Sequence, residues 1–570
     1  MKRREFCELI GLGAGAAAGL PLSAKAKTLQ AMASGTAVPN FPVSDWQAVC
    51  DEGWGTSGEA AGQGTWDGVS LKSPAIPGLA GDGPFKPEWK SLLDYEAPDW
   101  YRDAKFGIWA HWSPQCVAEA GDWYARNMYI QGQGQYENQV ARYGHPSKFG
   151  YKDLCAQWTL LNWEPEAMVE RAKRAGARLF VALANHHDGF DTWASKHHAW
   201  NAGMMGPKRD VIGGWATAAR RQGLRFGVTV HAARNWWWFQ VAHLCDKSGP
   251  LTGVPYDGQL TKDMGKDQWW EGLDPQELYG RKHGIRENPD DEYVRNFYDR
   301  VRDLLDQHDP DLLYFDNDSL PLGWAGMNIG AYFYNHYLKT HGGKLDAVLN
   351  IKNVPAELAK AVVADYERGV TDRIMPYAWQ SETCIGEWHY NRMLLLNHGY
   401  MKPVEAIRWM VDAVSKNGTF LLNVPGRPDG TIDADEMAIL DAIGSWMQTN
   451  GEAIYETRPW KTYGEGPHSA KSGAFAGNST AALDASDIRF TCNKRGDVLY
   501  AIVLGWPAGE KFQIQSLGTA SPQHPAKVAK VELLGCVDTL EWSQSAESLS
   551  VQRPPVKPCD FAYALKIRFV

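Results

Sequence analysis

Apolar runs of five or six residues alternate with helical segments of ten or more along the middle of this chain, an order that predicts a (β/α)8-type barrel followed by a C-terminal β-sandwich. The polar residues fall in a matching pattern. Leu179-Phe180-Val181-Ala182-Leu183-Ala184 runs directly into Asn185-His186-His187-Asp188-Gly189-Phe190. Phe226-Gly227-Val228-Thr229-Val230 runs into His231, and Asp311-Leu312-Leu313-Tyr314-Phe315 into Asp316. Strands buried on both faces read as continuous apolar runs, and in a barrel their carboxyl ends carry the ligand site. No G-x-G-x-x-G follows a strand, which argues against an open dinucleotide-binding sheet.

The elements follow in order. Arg3-Arg4-Glu5-Phe6, an apolar stretch from Leu9 to Leu22 and Ala24-Lys25-Ala26 give residues 1–26 the form of a twin-arginine signal peptide, which implies export to the periplasm or beyond. Residues 27–83 are rich in Gly, Ser, Ala and Pro without a sustained period and read as an irregular leader. The barrel is expected over 84–450. Its first strand is Lys105 to Ala110, and a helix from Trp163 to Ala175 opens on Glu164, Pro165 and Glu166. Helices over Asp210–Arg221 and Asp291–Gln307 flank the strands that end in His231 and Asp316. A helix over Val404–Lys416, a strand over Thr419–Val424 and a helix over Asp433–Gln448 close the series. Over 451–570 short strands at Asp487–Phe490, Val498–Val503, Lys511–Ile514, Val528–Leu534 and Leu565–Val570, parted by Gly, Pro and Asn, indicate the sandwich, with a scaffold role.

Composition narrows the function. A chain of 570 residues, 44% hydrophobic, buries more than one core. The net charge of −9 and the absence of a long basic run exclude a nucleic-acid partner. No later stretch has the roughly 18 apolar residues of a membrane span. The 26 tryptophans suit stacking on the flat faces of sugars. Cys50, Cys116, Cys155, Cys245, Cys384, Cys492, Cys536 and Cys559 are scattered, with no zinc-type spacing; free buried thiols are expected, with Cys536 and Cys559 the pair if a bridge forms.

Several segments together resemble the α-L-fucosidases of glycoside hydrolase family 29: Ala104 to Trp112, Asp122-Trp123-Tyr124, His186 to Phe190, Lys208-Arg209-Asp210, Leu313-Tyr314-Phe315-Asp316, Val414 to Gly418 with Leu421 to Val424, and Asn450 to Tyr455. They stand in the family's order and cover roughly residues 84 to 465. The resemblance implies a barrel, a C-terminal β-sandwich, and retaining hydrolysis of a fucosylated oligosaccharide or polysaccharide with no metal or other cofactor. Such hydrolysis needs one carboxylate to attack the anomeric carbon and a second carboxyl to protonate the departing oxygen. Asp316 matches the family's nucleophile. It ends a buried strand, and Asn317 can donate a hydrogen bond that keeps it ionised. Two residues compete for the acid/base role: Glu367 in Asp365-Tyr366-Glu367-Arg368 is the first choice and Glu382 in Trp379-Gln380-Ser381-Glu382-Thr383-Cys384 the alternative, with Glu387 behind them.

The sugar is expected against His111, Trp112, Asp122, Trp123, His186, His187, His231 and Tyr314. A cluster of neutral imidazoles offers donors and acceptors to hydroxyls without adding charge. Asp122 stands where relatives often have Glu, Tyr314 where they often have Trp, and Gln380 where Glu often follows Trp. His197 and His198 are read as surface residues. Trp236-Trp237-Trp238-Phe239 and Trp269-Trp270 lie in a long insertion after the His231 strand and are expected to wall subsites for the aglycone. Competing readings are a related enzyme such as an α-L-galactosidase, and an inactive carbohydrate-binding homologue.

Overall fold

The computed structural model describes residues 78–284, 287–352 and 354–570. The expected signal peptide and nearly all of the expected leader lie outside the described residues. The strands expected to bear the site are present, each fully buried or nearly so: β1 (Phe106–Ala110), β2 (Leu179–Asn185), β3 (Arg225–Val230) and β4 (Leu312–Phe315), followed by β5 (Val348–Lys352), β6 (Val363–Glu367), β7 (Trp379–Cys384) and β8 (Gly418–Asn423). They pair in parallel in chain order, and β1 closes on β8 with Phe106 opposite Phe420. Helices α1 (Pro165–Arg174), α2 (Val211–Arg221), α3 (Asp291–His308), α4 (Trp324–Thr340), α5 (Pro403–Ser415) and α6 (Ala434–Asn450) surround it. Their starts follow the sequence: Pro165 is the first residue of α1, and the Asp210 carboxylate caps α2 through the Gly213 amide at 2.8 Å.

Alternation along each strand sorts the side chains. Phe106, Ile108, Phe180, Phe226 and Phe420 face the helices, while Trp109, Leu179, Val181, Leu312, Tyr314, Val348, Val363 and Leu421 fill a separate inner core. On the β5–β7 side the interior turns polar, with Asn350, Lys352, Asp365, Gln380 and Glu382 all buried. Those polar inward residues broke the apolar runs, so β5 to β7 escaped the sequence reading. The strict β/α alternation also lapses there. Among the described residues, the 3-10 turn Ala356–Leu358 is the sole helical turn between β5 and β7.

The C-terminal strands are β9 (Thr457–Glu465), β10 (Ile488–Asn493), β11 (Val498–Val503), β12 (Lys511–Ile514), β13 (Val528–Leu533), β14 (Trp542–Gln544), β15 (Leu549–Gln552) and β16 (Tyr563–Phe569). They form a five-stranded sheet in the order β13-β16-β11-β10-β9 and a three-stranded sheet β12-β15-β14. Both sheets share one core, in which Phe490, Leu499 and Leu565 of the first meet Phe512 and Val551 of the second. The Asp412 carboxylate on α5 accepts from Arg489 Nε on β10 at 2.7 Å and from Lys416 Nζ at 2.6 Å, all three side chains being buried.

Cys536 and Cys559 carry free thiols, as the default expectation had it, and do not form the bridge named as its alternative. Cys559 Sγ instead contacts Asn450 and the Ala562 carbonyl. Cys245 is disulfide-bonded. The insertion after β3 is tied down by buried polar groups: the Asp257 carboxylate accepts from the Tyr129 and Tyr279 hydroxyls, each at 2.6 Å, with Lys152 3.6 Å away. Trp236 stacks on His283 at 4.2 Å, and Trp270 is buried over Gly265. These rings belong to the insertion's own core, whereas Trp238 packs against the strand-end histidines His186 and His187. His197 is exposed as expected, whereas His198 is buried.

Candidate active site

β4 ends at Phe315 and delivers Asp316 to the mouth of the barrel. One carboxylate oxygen, Oδ2, lies 3.2 Å from His231 Nδ1 and 3.3 Å from His187 Nε2; the other is contacted by Lys352 Nζ at the end of β5. Burial alone would raise this carboxyl, but the Lys352 ammonium, and after it His231, outweigh burial and hold it well below the ordinary range. The sequence reading credited Asn317 with that task. Lys352 and the histidines perform it, while the Asn317 carbonyl accepts from the Lys352 amide at 2.8 Å.

Lys352 Nζ also donates to Glu367 Oε2 at 2.6 Å. Glu367 ends β6, and its side chain keeps 20% of its surface exposed. Glu382 stands beside it in register on β7, yet it is 1% exposed and sits deeper. Its Oε1 accepts from the Tyr314 hydroxyl at 3.1 Å, and Oε2 has no partner. Burial, reinforced by Asp365, pushes the Glu382 carboxyl well above its usual range. Asp365 is raised by burial to about 7, against the pull of Lys352, and accepts from Gln380 Nε2 at 2.8 Å. Gln380 thus belongs to the floor beneath the pocket, as does Tyr314, which is fully buried. Glu387 accepts from the Asp122 amide and from Asn391, and so joins two loops.

The histidines converge. His111, His186 and His231 have ring centroids 5.1–5.3 Å apart. Burial is the main cause that lowers all three, His231 to about 4, so they are neutral near pH 7. The Gln115 amide donates to Asp188 Oδ2 at 2.9 Å and to His186 Nδ1 at 2.8 Å. An acceptor at Nδ1 puts the His186 proton on Nε2, making that atom a donor. Each of the three rings brings a nitrogen within 4.8 Å of the others, a spacing compatible with a metal. The protonated Nε2 opposes that use of His186. The second such group, His187, His231 and Asp316, already has the Lys352 ammonium at its carboxylate.

Three site residues were missed from sequence. His389 lies 4.9 Å from His111 and 5.0 Å from His186, ring to ring, with its Nε2 3.0 Å from Ser113 Oγ. Trp388 packs on Trp109 at 5.2 Å and on His111 at 5.6 Å. Lys352 is the third. The two loop residues follow β7 by several positions, outside the strand-end pattern. Asp122 spends its oxygens on their backbone, accepting from the Trp388 amide at 3.1 Å and the His389 amide at 2.7 Å, so it shapes the pocket by pinning this loop. Trp123 meets Trp238 edge-on at 6.0 Å, and Trp238 in turn packs on His186 and His187. Trp112 is a correction. Next to inward-facing His111, it faces outward, donates to the Val424 carbonyl and packs edge-on against Trp215, as core.

A closed parallel barrel whose carboxyl-end mouth gathers carboxylates, neutral histidines and tryptophans defines a glycoside hydrolase. The chain belongs to the α-L-fucosidase family: the α-L-fucosidase profile matches residues 79–452, and that of the α-L-fucosidase C-terminal domain matches 483–568. It is 27% identical to the tissue α-L-fucosidase of Homo sapiens over 496 residues, covering 85% of this chain and 91% of that one. The structure of Thermotoga maritima α-fucosidase in complex with a mechanism-based inhibitor is similar at a TM-score of 0.64 and 26% identity, over 85% of this chain and all of that one. The same enzyme in complex with fucose gives 0.62 and 25%, with the same coverage.

Proposed function

We propose that this protein is an exported retaining α-L-fucosidase that releases terminal α-L-fucosyl residues from oligosaccharides or glycoconjugates. The observation that carries retention is Lys352. One ammonium nitrogen touches an oxygen of Asp316 and an oxygen of Glu367, so those oxygens are no more than about 5 Å apart, the spacing of a nucleophile and an acid/base in double displacement. An inverting pair stands farther apart to admit a water. In the first step Asp316 attacks the anomeric carbon while Glu367 gives its proton to the leaving oxygen. In the second, Glu367 takes a proton from water, which displaces Asp316. Glu367 is preferred to Glu382 because a proton donor must reach the leaving group, and Glu382 is sealed beneath the pocket. His111, His186, His187 and His231 bind the sugar hydroxyls, and Trp123 and Trp238 line the approach. Fucose as the sugar is supported by family membership and by the fucose complex of the Thermotoga maritima relative.

The test is hydrolysis of an aryl α-L-fucoside followed by NMR. The first-formed fucose is expected to keep the substrate's anomeric configuration, and Asp316→Ala to lose at least about a thousandfold in turnover. Azide is expected to restore part of that rate by forming a fucosyl azide of inverted configuration. An inverted first product from the unmodified enzyme, or near-normal turnover of Asp316→Ala, would sink this reading.

A further inference from the structure

Lys352 is buried and in contact with both carboxyls proposed to do the chemistry. We propose that Lys352 is a positioning residue that hands its positive charge from Asp316 to Glu367 as the glycosyl-enzyme forms, and back as it is hydrolysed. The inference rests on the retaining reading above and goes beyond it by giving the pair a third member.

Charge counting leads to it. Before reaction Asp316 is a carboxylate and Glu367 carries the proton. An Asp316 oxygen pair then forms the bond to the anomeric carbon, the glycosidic C–O bond breaks with its pair going to the leaving oxygen, and that oxygen takes the Glu367 proton. Asp316 is now a neutral ester and Glu367 the carboxylate. One negative charge has moved between two groups that flank one fixed ammonium, so Lys352 never lacks an anionic partner. In the second step the water oxygen bonds to the anomeric carbon, Glu367 takes the water proton, and the ester pair returns to Asp316. A buried ammonium without a partner is costly, so a single cation bonded to both carboxyls favours each state in turn. The other charged or titratable groups facing this trio are His111, His187, His231, Arg234, Tyr314, Asp365 and Glu382. Unlike Asp316 and Glu367, none of them is assigned a covalent or proton-transfer step.

The experiment compares Lys352→Met and Lys352→Arg with the unmodified enzyme. In Lys352→Met the ammonium that touches Glu367 is gone, so the pH dependence of the two steps in which Glu367 gives or takes a proton is expected to change. The acid limb of deglycosylation, read as kcat on a good-leaving-group aryl fucoside, is expected to move up by about one pH unit in Lys352→Met. The basic limb of glycosylation, read on a poor leaving group, is expected to move up as well. Lys352→Arg is expected to restore both limbs. A rate loss equal at every pH, with neither limb moved, would assign Lys352 a packing role and overturn the proposal.

Should Lys352→Met fail to fold, the unmodified enzyme decides. A glycosyl-enzyme trapped with a fluorinated fucosyl fluoride and crystallised is expected to show Lys352 Nζ within hydrogen-bond distance of Glu367, and Nζ turned away from Glu367 would overturn the hand-over. Peptide mapping of the same adduct separates the two readings. A label on a residue other than Asp316 removes the retaining assignment itself, whereas a label on Asp316 with unmoved limbs or a turned-away Nζ removes the role of Lys352 alone.

Discussion

Glu367 and Glu382 are neighbours in register, yet solvent reaches one and not the other, and this separates their expected roles. Protonation matters in proportion to how poor the leaving group is. Glu367→Ala is expected to keep substantial activity on an activated aryl fucoside, lose it on an oligosaccharide, and lose the basic limb of its pH profile. Glu382→Ala is expected to lose similar amounts on both substrates. The reverse pattern in steady-state kinetics would move the acid to the floor of the barrel. His186→Ala is expected to stay folded and to cost about 1–3 kcal/mol of transition-state binding on every fucoside alike, read from kcat/KM. Because Gln115 holds the His186 proton on Nε2, the sugar atom opposite must supply a lone pair. A substrate methylated on that oxygen still can, and a deoxy analogue cannot, so the two are expected to separate in affinity wherever the methyl group fits.

At the scale of strands and helices, legibility tracked the polarity of the barrel interior. β2 and β4 face inward with Leu179, Val181, Leu312 and Tyr314, and β3 turns Phe226, Val228 and Val230 toward the helices, so their runs stayed largely apolar and their closing residues stood out. β5 to β7 face inward with Asn350, Lys352, Asp365, Glu367, Gln380 and Glu382, so they carry no continuous apolar run and only a short alternation such as Leu349-Asn350-Ile351-Lys352. The same polarity hid Lys352, which lies at a strand end as Asp316 does. Trp112 was misjudged for the converse reason: adjacent strand positions face opposite ways, and only His111 of that pair turns inward. A stability prediction belongs here as well. The Asp365 carboxyl, raised to about 7 in the fold against 3.8 for an unperturbed group, holds its proton where the unfolded chain has lost it. Its contribution is therefore full below about pH 4 and disappears as pH rises through 7. Asp365→Asn is expected to gain stability relative to the parent between pH 5 and 8, on the order of 1 kcal/mol or more, read by urea unfolding at both pH values. A constant offset across that range would contradict it.

Across the whole molecule two further outcomes are expected. If the amino terminus is a twin-arginine signal, replacing Arg3 and Arg4 by lysines leaves the protein in the cytoplasm, detectable by fractionation; unchanged export would remove that assignment. Asp412→Ala strands the Lys416 and Arg489 cations in the buried seam between barrel and sheets, and is expected to cost about 3–5 kcal/mol, read as a lowered Tm. That seam changes how the chain can be cut. Arg489, the second cation on the buried Asp412 carboxylate of α5, arrives from beyond residue 480, so a shortened protein ending after α6 would keep every group at the catalytic mouth and still present solvent with an unfinished wall. What the linear order makes an appendix is, for packing, one side of the barrel, and a minimal catalyst carved from this enzyme has to replace that side before it can dispense with the sheets.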